Sequence, residues 1–359
     1  MTKKIKILMN KKMKIFFYTN NRNLNIGSYR LWVEQLSKSL KKLKIKSKIV
    51  SNQKDLTGSD VIIFGKDIKK DEIHKIKKTL DSKIIIGAIN PPINSSYPVD
   101  FVVTGSIEEK YSLLNYKNIF LYPLIEFNQY LKFKSFRNKK TLNVFTHGNH
   151  THLKSLFNFG FVSAMKKFKM YLKDMNKELK LNLLLDKLPD TYSNNLKNNG
   201  IDFKFIKYNH KKIQDVLSKQ DIAIISSSKY ERFDTNENKL IKYLKKQSIF
   251  FEDISITFKN KNNFGRLFLC LQNKIPTIAD ITPSNLSLYD YQKENILFFN
   301  NSNQILDNLK KLSSIKNRKI IALKAFQYVK KFDNQKFFSN KLIKFLRNIK
   351  KDKNLISNF

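Results

Sequence analysis

Short, almost wholly apolar runs recur along this chain with helix-period stretches between them, and that alternation limits the fold more than any other feature. MKIFFYT (13–19), IKSKIV (45–50), DVIIFG (60–65), KIIIG (83–87) and DFVVTG (100–105) each have the length and content of a buried strand. Helical stretches over 69–81 and 107–115 lie among them, and NIFLYPL (118–124) closes the series. After the first run, the loop NNRNLNIG (20–27) leads to Ser28, which reads as a helix N-cap. The helix behind it places Tyr29, Trp32, Val33, Leu36, Leu40 and Leu43 on one face. Buried strands that alternate with helices imply βαβ units and a parallel sheet.

The pattern then starts again. EFNQYLKFKSFRNKK (126–140) fits neither period and is strongly basic, so it reads as a linker between domains. Beyond it come TLNVFTHGN (141–149), a helix at 161–177, LNLLLD (181–186), a helix near 190–199 and IDFKFIKY (201–208). A helix near 210–219, DIAIISS (221–227), the helix that carries Phe264 to Leu271 and IPTIAD (275–280) follow. ENILFF (294–299), a helix at 302–313 and helices over 316–349 finish the chain. The expected fold class is therefore α/β with two facing Rossmann-like domains. Residues 1–130 form the first and 131–359 the second, and residues 1–12 read as a flexible basic extension ahead of Met13.

A length of 359 residues suits two domains, and a normal apolar content argues against disorder. The longest apolar runs, such as KIIIGAI (83–89), are too short to span a bilayer. MTKKIKILMNKK lacks the apolar core and cleavage site of a signal peptide. A single cysteine, Cys270, excludes a disulfide framework and suits a reducing, cytoplasmic location. The formal charge of +40 makes an anionic partner plausible. Nucleic acid, acidic lipid headgroups and phosphorylated substrates all qualify. The lysines are scattered and do not choose between them, and abundant Lys, Asn, Ile and Phe with scarce Gly, Ala and Pro is a pattern that AT-rich coding alone can produce.

Ligands of open α/β sheets bind beyond the carboxyl ends of the strands. In the first half those positions hold Asn25, Gly27 and Ser28, then Asn90, then Thr104, Gly105 and Ser106. In the second they hold His147, Gly148 and Asn149, then Ser226 to Ser228, then Asp280 to Ser284. No G-x-G-x-x-G, Walker loop or G-x-S-x-G occurs, so a standard dinucleotide site, P-loop or nucleophile elbow is not supported. His147, His150 and His152 cluster in THGNHTH (146–152), with no Cys or HExxH partner to complete a metal site. They read better as a polar strand-end loop able to meet a phosphate. No concentrated basic face or nucleic-acid module is visible.

Arg266 is the residue out of place. Phe264, Leu267, Phe268 and Leu271 form the apolar stripe of a helix, and Leu269 and Cys270 cover its other side. A guanidinium one turn into such a helix needs an anion. The opening KNKNNFG (259–265) offers free helix N–H groups with Lys259 and Lys261 beside them, which suits a diphosphate. The alternative is an internal carboxylate such as Glu252 or Asp253.

These elements resemble a family. A buried helix, NKIPTIAD (273–280), TPSN (282–285) and ENILFF with a helix behind it look like the donor-binding domain of GT-B glycosyltransferases. The first strand, glycine loop and Trp32 helix are similar to the acceptor domain, as are DFVVTGSIEEKYSLL (100–114) and NIFLYPL. The resemblance implies that the last helix, near 334–349, returns to the first domain. Two departures stand out. Lys261 and Leu269 occupy the places of the Glu-x7-Glu pair of retaining members, and Lys274 replaces the usual glycine. What remains is similar to a divergent bacterial subset with a His-Gly-Asn loop and basic residues at the head of the donor helix. The resemblance implies a metal-independent, cofactor-free transfer from a nucleotide-diphosphate sugar to a glycan or lipid-linked acceptor in cell-surface polysaccharide synthesis. Donor binding falls to His147, Gly148, Asn149, Lys261, Arg266, Thr282 and Ser284, and the acceptor side to Gly27, Ser28 and Asn90. No base is identified; His74 lies on an amphipathic, solvent-facing helix. Peripheral contact with acidic membrane accompanies this reading. Its rivals are another nucleotide-sugar enzyme, such as an epimerase, and a non-catalytic basic protein that binds nucleic acid or membrane.

Overall fold

The computed structural model of this chain describes residues 13–92, 95–131, 134–227 and 263–356. Lys259, Lys261, Glu252, Asp253, Ser228 and the extension 1–12 lie outside the described residues. By its contacts the chain divides into two units. One comprises Met1–Gly105, Glu109–Leu124 and Asn334–Phe359; the other comprises Ser106–Glu108 and Ile125–Asp333.

In the first unit β1 (Lys14–Tyr18), β2 (Lys46–Val50), β3 (Val61–Phe64), β4 (Ile85–Ile89), β5 (Phe101–Thr104) and β6 (Ile119–Leu121) form one sheet, in the order β2-β1-β3-β4-β5-β6. Every pairing is parallel. β3, β4 and β5 are buried at every position, as strands covered on both faces must be, and so they read as unbroken apolar runs. The expectation of a buried strand at 45–50 needs correction. β2 is the sheet's edge, and its burial alternates with exposure.

The first helix also starts differently from the sequence reading. It opens with the turn Gly27–Tyr29 behind Ile26, passes through a π-helical stretch Arg30–Gln35 and ends as α1 (Leu36–Lys42). Ser28 therefore lies inside the first turn and is not its N-cap, because the Arg30 N–H already reaches the Ile26 carbonyl at 3.0 Å. Trp32 is buried on this helix and donates its indole N–H to the Tyr122 carbonyl at 2.9 Å. α2 (Lys70–Lys78) and α3 (Ile107–Tyr111) follow, both shorter than the periodicity suggests.

The second unit carries β7 (Thr141–Gly148), α4 (His150–Asn158), α5 (Phe161–Asp174), β8 (Glu178–Leu185), α6 (Asp190–Asn198), β9 (Phe203–Lys207), α7 (Ile213–Ser218) and β10 (Ile222–Ile225). α8 (Gly265–Gln272), β11 (Thr277–Asp280), α9 (Pro283–Leu286), β12 (Leu297–Phe299), α10 (Ser302–Ser313) and α11 (Ile315–Lys330) complete it. Its sheet runs β12-β11-β10-β7-β8-β9, again with parallel pairings. One face packs Leu142, Val144, Leu181 and Leu183 against Phe161, Phe168 and Leu309. Strand order reverses at β7, which has β8 on one side and β10 on the other, so a crevice opens beyond its carboxyl end.

α4 corrects the reading of 146–152 as a loop. Asn149 caps it, its side chain accepting the His152 N–H at 3.2 Å, and Leu153 and Leu156 bury its inner face. α12 (Gln335–Ile356) belongs to the first unit. There Ser339 meets the Ser39 hydroxyl at 2.7 Å, Lys350 pairs with Asp60 at 2.8 Å, and Phe345 packs on Phe101 and Phe120. Among the described residues no helix is long and apolar enough to cross a membrane.

Candidate functional site

The carboxyl ends of β7, β10 and β11 bring the second unit's polar residues together. β7 stops at Gly148, and α8 begins beside it with Arg266 as its second residue. Arg266 therefore sits in the first turn and not one turn further in. The Gly265 N–H is taken by the Asn263 side chain at 3.2 Å, which fixes the helix start. From there the guanidinium donates through Nη1 to the His147 carbonyl and through Nη2 to His152 Nδ1, both at 3.2 Å. Arginine can only donate, so Nδ1 of His152 accepts, and any ring proton sits on Nε2. Gly148 makes this approach possible, because a Cβ on it would overlap Arg266 Nη1 and crowd His152.

Arg266 is partly exposed and meets neutral acceptors. Burial pushes its pKa down to about 10, with the charge of Asp280 opposing that shift. It is a cation at neutral pH. Asp280, at the end of β11, is fully buried. Its carboxylate accepts from the Ser227 N–H at 2.9 Å, the Ser226 hydroxyl at 3.3 Å and the Asn285 amide at 3.0 Å. A buried carboxylate so held compensates the guanidinium's charge without covering it. Cys270, one turn behind Arg266, is a buried thiol that burial pushes up to about 12, and so it is inert.

The three histidines go to three different places. The His147 ring stacks on Tyr208 at 5.4 Å, His150 turns to Asp186 at the end of β8, and His152 faces Arg266. Asn149 spends its side-chain oxygen on the α4 cap and the Thr151 hydroxyl, which leaves its amide N–H groups as the part suited to a ligand. Thr282 is buried and caps α9 by accepting the Asn285 N–H at 3.1 Å. Ser284 gives its N–H, at 2.8 Å, and its hydroxyl to the two oxygens of Glu108. Burial pushes the Glu108 carboxyl up, and these bonds oppose the shift.

In the first unit, Asn90 ends β4 in the left-handed region at φ 43°. Its amide donates to Glu109 at 3.1 Å, and the other oxygen of Glu109 accepts the Gly105 N–H at 2.7 Å. Asp67 ties down the loop after β1 through Thr19, Asn20 and Asn21. A Cβ on Gly27 would meet nothing within 4 Å. Glu109 is a rim residue the sequence reading missed. Asp280 is singled out there by its place at a strand end and His152 as one of the clustered histidines, but nothing in the sequence ties either to Arg266.

Neither a family model nor a curated protein sequence matches this chain. Solved structures do. Sucrose-phosphate synthase from Thermosynechococcus elongatus superposes with a TM-score of 0.64 at 10% identity, over 94% of this chain and 99% of that one. Anabaena HepE in complex with UDP gives 0.56 at 9% identity, over 94% and 100%. TarM of S. aureus, in complex with fondaparinux, α-GlcNAc-glycerol and UDP, gives 0.52 at 12% identity, over 81% of this chain and 55% of that one. The chain thus spans about half the length of TarM. At such identities the likeness is one of fold. Two α/β units, each on a parallel six-stranded sheet, give this chain the fold of the GT-B glycosyltransferases.

Proposed function

We propose that this protein is a glycosyltransferase that moves a sugar from a nucleotide-diphosphate donor to a glycan or lipid-linked acceptor in cell-surface polysaccharide synthesis. The observation that carries the reading is Arg266. It is a partly exposed cation in the first turn of α8, held against Gly148 by neutral acceptors and balanced by a buried carboxylate. A planar fork at a helix N-terminus suits a leaving diphosphate, whose charge grows as the glycosidic bond breaks. The guanidinium and helix dipole can take that charge, so the reading asks for no metal. Donor binding is assigned to the second unit, through Arg266, Gly148, His147, Asn149 and Lys261, with Thr282 and Ser284 at the neighbouring turn. Acceptor binding is assigned to the first unit, through Gly27, Ser28 and Asn90. The chain's lysine excess suits work at the inner, acidic face of the cell membrane.

UDP accompanies two of the similar structures, HepE and TarM, and is the nucleotide to try first. Titration calorimetry with UDP and with UDP-sugars tests the reading. Binding by the wild type that Arg266→Ala weakens about 100-fold or more is the expected result. Binding that Arg266→Ala leaves unchanged sinks the diphosphate role. UDP release that needs an added glycan distinguishes transfer from epimerisation.

A further inference from the structure

The sheet of the second unit has two unlike faces at β8 and β9. On one, Leu181, Leu183 and Phe203 belong to the core or pack against it. On the other, strand alternation and the register Asn182↔Lys204 place Lys180, Asn182 and Lys204 side by side. A parallel α/β sheet normally buries apolar residues on both faces. Here a groove of about 580 Å³ lies over the second face, bordered by residues of α7 and of the turn after it. It starts at Asn143, near the amino end of β7, whereas Gly148 and the Arg266 cluster lie at the carboxyl end.

The groove is basic beyond what this basic chain makes ordinary. Lys139, Lys180, Lys204, Lys212 and Lys219 line it, and Asp215 is the one carboxylate among the described lining residues. With 69 lysines and arginines in 359 residues, a lining of this size would by composition hold about two. Lys139 is ion-paired with Asp221 at 3.5 Å, so the excess rests on the other four. Between them the lining is neutral, with Asn182 and Gln220 beside the apolar Ile206 and Val216. Asn182 and Gln220 are nearly fully buried, and the Asn182 amide donates to Gln220 at 3.0 Å. No aromatic side chain is among the described lining residues.

We infer that this groove binds an acidic glycan chain, at a site separate from the donor site. Lys180 and Lys204 are diagonal neighbours on adjacent strands, roughly 7–8 Å apart, a spacing that suits anionic groups repeated along a sugar chain. Asn182 and Gln220 each commit one amide N–H within the protein and Ser218 gives its hydroxyl proton to the Asp215 carbonyl, so their second N–H groups and the Ser218 oxygen are what can meet the hydroxyls a glycan carries between its charges. Single-stranded nucleic acid gains much of its affinity from bases stacked on aromatic rings, and the lining supplies none. A bilayer surface is flat and cannot reach a floor formed by Asn182 and Gln220.

The test uses the full chain and an end-labelled hexameric oligouronate, followed by fluorescence anisotropy at low salt. Lys180→Gln with Lys204→Gln should weaken binding about tenfold, since each lost ionic contact removes a few-fold. Lys166→Gln with Lys167→Gln, on exposed positions of α5, removes the same charge and should change it less than twofold. The UDP-induced rise in melting temperature should be the same in both double variants, which separates failure here from failure of the donor reading. Equal weakening by both pairs would reduce the groove to general charge attraction. Tighter binding of an oligo-dT through Lys180 and Lys204 would assign the groove to nucleic acid. Loss of binding to phosphatidylglycerol vesicles in the groove variant, with oligouronate binding unchanged, would assign it to membrane. Each of these three outcomes overturns the proposal.

Discussion

Carboxylates hold strand ends in both units, and the units differ in the cation that stands beside them. In the first unit, carboxylates fasten the backbone. Asp67 accepts from the loop after β1, and Glu109 joins the end of β4 to the end of β5. In the second, the carboxylate of Asp280 is buried deeper and a guanidinium stands in front of it. A strand end closed by acceptors repels phosphate, whereas one fronted by a supported cation attracts it. The contrast supports the proposed division, with the donor on the second unit and the acceptor on the first.

The strongest way to break the contrast is to remove the cation. Arg266→Ala should cost about 2 to 4 kcal/mol of transition-state stabilisation, read as a loss in kcat/KM for the donor sugar. Arg266→Lys keeps the charge but loses the planar fork, and it should remain impaired. The melting temperature should change little in either. A collapse of stability with unchanged UDP affinity would make Arg266 a structural residue. Next comes Gly148→Ala. Its methyl would overlap Nη1 and push the guanidinium aside, so donor affinity should fall nearly as far as in Arg266→Ala. Because an arginine side chain can move, the loss of stability should stay within about 1 kcal/mol.

Asp280→Asn tests the support. With its oxygen on the Ser227 N–H, the amide turns its NH2 to Ser226, whose hydroxyl must then accept instead of donate, so a stability loss of about 1 to 3 kcal/mol is expected from the rearranged buried bonds. UDP should bind somewhat more tightly, since the negative charge behind Arg266 is gone while the guanidinium remains a cation. Thermal unfolding and calorimetry on the same sample read both. If UDP affinity stays at the wild-type value, Asp280 is only a brace. The same exchange in the first unit, Glu109→Gln, should cost about 1 kcal/mol of stability and leave UDP affinity untouched. Weakened UDP binding there would erase the difference between the units.

Much of the fold was legible because buried parallel strands leave an unmistakable apolar signature. Where the surroundings differed, the reading failed. β2 looked buried by content, but an edge position exposes alternate residues. The loop expected over 146–152 gives way to the helix His150–Asn158, whose first turn polar histidines disguise. Asn149 as cap, with Leu153 and Leu156 behind it, was the overlooked evidence. At the site, Arg266 drew attention for being charged in an apolar helix, and Gly148 by its place after a strand. Their contact could not be read, because it depends on a Cβ that is missing more than a hundred residues away in sequence. Nor could the claim of Glu108 on Ser284, since neither residue breaks a local pattern.

The smallest expected effect sharpens the comparison most, because it sets one glycine against another. The sequence singled out both Gly148 and Gly27 at strand-end loops. Gly148 has a structural reason to be glycine, namely the guanidinium lying where its side chain would be. Gly27 has none: its backbone is not left-handed, and an added Cβ meets open space. It opens the first turn of the helix, where alanine is the better helix former. Gly27→Ala should therefore be neutral or stabilise by up to about 1 kcal/mol. If the first unit receives the acceptor at this loop, the space beside Gly27 is where the acceptor's chain passes. The methyl would then raise KM for the acceptor while donor KM and melting temperature hold. If acceptor KM also stays put, the acceptor does not run past Gly27, and the first unit's binding surface must be sought nearer Asn90.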